Sequence, residues 1–105
     1  MRHAEVTLRL SSDAAIPHLE AALRSLPLKS IGAERRDRIR VTAVTHRTWK
    51  SWGETLVAEV AELSGGSSHV RIESRPLVAT TLLDYGKNRE NVERCVAELR
   101  TVAQA

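Results

Sequence analysis

The chain has no phenylalanine, one tyrosine and one cysteine among its 105 residues. A single cysteine excludes an internal disulfide and every Cys-x-x-Cys metal or redox site, and it makes a reducing compartment the default. His3, His18, His46 and His69 share no ligand spacing, so no metal is expected. No Walker A, Gly-x-Ser-x-Gly or dinucleotide Gly-x-Gly-x-x-Gly pattern occurs, and no cofactor is expected. No run approaches ~18 apolar residues, and MRHAEVTLRL lacks the apolar segment of a signal peptide. These absences predict a cytoplasmic protein with no membrane contact.

What is present is aliphatic. The 42% hydrophobic content is sufficient for one core, and the length is that of one ordinary domain, residues 1–105. The net charge of +3 arises from 16 bases interspersed with 13 acids. That balance permits an anionic partner without arguing for one.

Periodicity gives the element order. Ala4, Val6, Leu8 and Leu10 alternate with polar residues, which predicts a half-buried strand. Ile16, Leu19, Leu23 and Leu26 fall at helical spacing. Ser12 or Asp13 is placed to cap that helix, Pro17 lies near its first turn and Pro27 ends it. LKSIGAE is a short strand, and Glu34–Asp37 a polar hairpin turn. Arg38–Thr45 and Glu54–Leu63 each alternate with one apolar face. SGGSS is a turn, and Ser68–Arg75 a further strand with Val70 and Ile72 inward. The segment LVATTLLD is ambiguous. From Lys87 onward, Val92, Cys95, Val96, Leu99 and Val102 form a helical stripe. The order β-α-β-β-β-β-α predicts an α+β two-layer sandwich, an antiparallel sheet with both helices on one face. The same element order is similar to that of a TATA-box-binding-protein repeat and of the helix-grip folds.

Both tryptophans stand in WKSWGE, residues 49–54. Strand parity puts Trp52 and Glu54 on the core side with Leu56, Ala58 and Val60. An inward carboxylate is costly unless hydrogen-bonded. The start of the last helix, approached through Asp84-Tyr85-Gly86-Lys87-Asn88, offers unpaired N–H groups and the positive end of a dipole. Glu54 is therefore expected to accept from the backbone near Gly86–Asn88, or from the side chains of Lys87 and Asn88, with Asp84 or Asn88 as cap. Ser51-Trp52-Gly53-Glu54, followed about thirty residues on by Asp84-Tyr85-Gly86-Lys87-Asn88, resembles the S-W-G-E … D-[WY]-G-K-N pattern of small uncharacterised bacterial domains. That resemblance implies a shared fold and no established activity.

Trp49, Trp52, Glu54, Asp84, Tyr85, Lys87 and Asn88 thus form one candidate corner, structural or ligand-binding. Trp49, just ahead of the strand, is expected to be partly exposed and to be the functional member. A second candidate is an outward sheet face carrying Arg9, Arg40, His69, Arg71 and Arg75, joined by Arg38, which could hold an anion. Glu5, Glu59 and Glu73 share that face and no aromatic is interleaved for base stacking, which argues against nucleic acid. Cys95 reads as a buried thiol. The leading expectation is a non-catalytic domain binding a protein partner or small apolar ligand, with a homodimer through the sheet or its edge as one form. Anion or nucleic-acid binding is the alternative, and an enzyme built on Glu54, Asp84 and Lys87 ranks last.

Overall fold

The computed structural model describes residues 2–35, 38–46, 53–76 and 86–103. In chain order these form β1 (Arg2–Leu8), α1 (Ser12–Arg24), β2 (Leu28–Arg35), β3 (Ile39–Thr45), β4 (Glu54–Glu62), β5 (Ser68–Pro76) and α2 (Lys87–Ala103). The strands make one antiparallel sheet in the order β1-β5-β4-β3-β2. Both helices cover one face, giving the expected two-layer α+β sandwich. LVATTLLD and most of WKSWGE lie outside the described residues.

Alternation decides which side of each strand is dry. Leu8, Val41, Ala43, Leu56, Ala58, Val60, Val70 and Ile72 point to the helices and are buried. The helices supply Ala15, Ile16, Leu19, Ala22 and Leu23 from α1, and Val92, Cys95, Val96 and Leu99 from α2. Among the described residues these side chains, Ile16 apart, form one aliphatic cluster. Its directionless attraction sets which face is inside but not how the elements are aligned.

Alignment comes from polar contacts at the ends of elements. Ser11 caps α1, one residue ahead of the expected Ser12 or Asp13, because its hydroxyl accepts the Ala14 N–H at 3.2 Å. The Ser12 N–H is left for Glu62, at the far end of β4. These Ser12 hydrogen bonds hold the Glu62 carboxyl below its usual range. Pro17 lies in the second turn of α1, just past the first. It lies on the exposed side of the helix, where the missing N–H leaves no buried carbonyl unpaired. The helix stops at Arg24, before Pro27. The SGGSS turn joins β4 to β5 as expected, closed by a 2.8 Å hydrogen bond from the Leu63 N–H to the Ser67 carbonyl.

Among the described residues the two edge strands of the sheet differ. In β2 the register shifts between Leu28 and Ser30, so Lys29 is a bulge, and Gly32 follows. A bulge and a lysine are devices that blunt an edge. β1 pairs with β5 without interruption from Arg2 to Leu8 and contains no proline, glycine or lysine.

Leu99 is fully buried in the core cluster. Leu99→Ala is expected to cost about 2–5 kcal/mol in chemical denaturation. A loss under about half a kcal/mol, the range of surface substitutions, would show that α2 does not carry the core contact described.

Candidate functional site

The aliphatic cluster ends in a polar layer. Thr45 closes β3, Glu54 opens β4, Ser74 lies near the end of β5, and Asn88 and Asn91 lie in the first turns of α2; all five are buried. Strand parity puts Thr45 in line with Val41 and Ala43, and Ser74 with Val70 and Ile72. Helical spacing puts Asn88 and Asn91 on the stripe of Val92, Cys95 and Leu99.

Glu54 is the centre of this layer. Its Oε1 accepts from Asn91 Nδ2 at 2.8 Å and from the Thr45 hydroxyl at 3.2 Å, and its own N–H donates to Thr45 Oγ1 at 2.8 Å. Asn91 Nδ2 also lies 3.4 Å from Ser74 Oγ, which in turn donates to Asn88 Oδ1 at 2.7 Å. The Asn91 amide and the Thr45 hydroxyl therefore both point toward the carboxyl group. Turning the Asn91 amide over would set its oxygen against the carboxylate, so the network fixes its orientation. Among the described residues Asn91 Oδ1 has no hydrogen-bond partner.

Two glycines frame this layer. Gly53, with φ 104°, immediately precedes Glu54, and Gly86, with φ 76°, precedes α2 and accepts the Glu90 N–H at 2.9 Å. Both lie in the left-handed region that side chains disfavour.

The start of α2 is where Glu54 meets the helix, through hydrogen bonds from described side chains. Asn91, one turn deeper, and Thr45, from β3, supply them. Asn88 is not the cap of α2; it lies inside the helix and is engaged with Ser74. Lys87 lies 3.6 Å from Glu90. Trp49, Ser51, Trp52, Asp84 and Tyr85 lie outside the described residues. Asn91, Thr45 and Ser74 were readable from the same parity and stripe that placed their apolar neighbours.

The outward sheet face carries the arginines in alternation with acids. Across β2, β3, β4, β5 and β1 stand Glu34, Arg40, Glu59, Arg71 and Glu5. Arg40 and Arg38 reach Glu59 at 3.3 and 3.5 Å, and His69 meets Glu5 at 3.2 Å. Arg71 and Arg75 both hold Glu73, Arg71 at 3.1 Å. The Arg75 hydrogen bond above all keeps the Glu73 carboxyl low, against the opposing effect of burial and with help from Arg71. Arg9 lies just past β1, exposed. The face is a mixed-charge surface rather than a continuous positive one. An open groove of about 400 Å³ crosses it, lined by Arg40, Thr55, Val57, Glu59, Glu73, Arg75 and Pro76.

Cys95 is buried in the core, with Sγ 3.8 Å from the Ala22 carbonyl. Burial pushes its thiol up to about 12, so the nucleophilic thiolate is negligible near neutrality. Among the described residues no group of three or more His, Cys, Asp or Glu side chains is placed to hold a metal. No described helix is long and apolar enough to cross a membrane.

No family model and no curated protein matches the chain. Among solved structures it is similar to the crystal structure of Ara h 8.0201, at 12% identity, covering 95% of this chain and 97% of that chain with a TM-score of 0.38. A likeness at that score carries no argument about this chain.

Glu54→Gln and Asn91→Ala are each expected to lose about 1–3 kcal/mol, since each leaves a buried group without its partner. The pair should be non-additive by more than half a kcal/mol in a double-mutant cycle. Additive losses would show that the two side chains serve separate ends. For Cys95 the folded thiol binds its proton more tightly than the unfolded one, whose ordinary value is 9.0. The stability it contributes is complete below that value and falls as pH rises from there toward about 12. A denaturation series across that range should show a decline that Cys95→Ala reduces.

Proposed function

We propose that this chain is a non-catalytic interaction domain that binds a protein partner over its exterior in the cytoplasm, and that it belongs with the small bacterial domains sharing its Ser51–Glu54 and Asp84–Asn88 motifs. The observation that carries the reading is the fate of Glu54. The carboxylate around which an enzyme would have been built is buried and spent on holding Asn91 and Thr45. A general base must reach its substrate, and this one faces the inside of the fold.

What the exterior offers is recognition. The sheet-face groove has an apolar floor at Val57 and Pro76 and walls of both signs, from Arg40, Arg75, Glu59 and Glu73. Mixed charge around a small apolar floor suits a protein segment whose own charges alternate, and gives register more than raw affinity. An oligonucleotide would need arginines not already facing carboxylates.

Native mass spectrometry of the protein from its own cells tests the proposal. The expected result is a second polypeptide at fixed stoichiometry, released by Val57→Arg. A retained small apolar molecule that Val57→Arg does not release would replace the proposal with ligand binding. Salt-dependent binding of mixed oligonucleotides at low ionic strength, where none is expected, would replace it with the anion-binding alternative.

A further inference from the structure

A second groove, of about 320 Å³, runs along the free side of α2 where it overhangs β1, lined by Ala4, Val92, Glu93, Val96, Ala97 and Arg100. Its floor is apolar and its rims carry one acid and one base. Glu93 is paired within its helix to Arg89 at 2.8 Å. Arg100 has no ionic partner among the described residues. The strand beneath is, among the described strands, the regular edge of the sheet, the one without a bulge.

We propose that this edge and groove form a two-fold interface with a second copy of the chain, β1 against β1 and α2 against α2. The argument is self-complementarity. A two-fold axis through a continuous antiparallel sheet must make one residue of the edge strand its own partner, because opposed residues share a face. Centred on Ala4, the pairing sets His3 of one copy opposite Glu5 of the other, twice, and puts two small side chains face to face at the axis. Centred on Glu5, it would oppose two glutamates, which is unfavourable.

The helix repeats the same symmetry. Glu93 and Arg100 are equidistant from the midpoint between Val96 and Ala97. A two-fold axis there brings Glu93 of each copy to Arg100 of the other and closes the two apolar floors over one another. Ala4, the centre of the strand pairing, is the residue of β1 that lines this groove beside Val96 and Ala97. Isologous contacts of this kind are the commonest way for a small chain to form a closed assembly. Pairing also covers the remaining regular edge, while the bulge and lysine of β2 blunt the opposite one.

The test is the oligomeric state of the full chain by sedimentation equilibrium at micromolar concentration. The wild-type chain is expected to be a dimer. Glu93→Arg places two arginines at each contact and Arg100→Glu places two acids, so each variant alone is expected to weaken the dimer about tenfold or more. Both positions are exposed, and circular dichroism checks that the fold stands. Mixing the two variants should restore a heterodimer, because each new charge then meets its opposite. A monomeric wild-type chain, a dimer indifferent to both variants, or a mixture that stays monomeric would each overturn the proposal.

Discussion

The architecture depends on one buried carboxylate. Placing Glu54 at the dry end of β4 is unfavourable unless donors surround it, and among the described residues Thr45 from β3 and Asn91 from α2 supply them. The contact therefore dictates which turn of the last helix faces the sheet. With Asn91 held at Glu54, helical spacing sends Val92, Cys95, Val96 and Leu99 inward in turn. The aliphatic cluster would tolerate several rotations and offsets of α2, but a hydrogen-bonded acid tolerates one. The same contact explains why two left-handed glycines flank it in sequence, Gly53 before the strand and Gly86 before the helix. Each lets the chain turn into position where a side chain would resist.

The outer face of the sheet follows a different logic. Its charges are numerous but locally neutral, and the row from Glu34 to Glu5 alternates in sign at every strand. Exposed pairs of this sort contribute little stability singly. Their effect is on alignment and solubility, since a wrong pairing loses opposite-sign neighbours across several strands. The molecule thus fixes its strands from both sides, by burial within and by charge without.

Much of this was readable from the residues. Val41, Ala43, Leu56, Val70 and Ile72 declare their face by alternation, and Leu19, Leu23, Val96 and Leu99 by helical spacing, so the layers and element order follow from the sequence. The polar layer was harder because Thr45, Ser74 and Asn91 interrupt those apolar patterns and look like surface residues until their parity is counted. Glu54 stood out as an acid opening the strand face that continues through Leu56, Ala58 and Val60. Asn91 did not, since an asparagine on a helix carries no preference between solvent and a carboxylate one layer away. The neutrality of the arginine face also escaped composition, because it depends on strand order: Arg71 lies between Glu59 and Glu5 only once β5 sits between β4 and β1.

That strand order has a consequence for how the molecule assembles. β2 to β5 follow one another as neighbours and can pair as successive hairpins, each joined by the segment between them. β1 is the exception: among the described strands it pairs with β5 alone, separated from it by α1 and three strands. Contacts between such distant segments are entropically expensive until the intervening chain has condensed. During synthesis the opening strand therefore waits for nearly the whole of the sheet to be made, and its arrival is the closing step that gives the domain its second border.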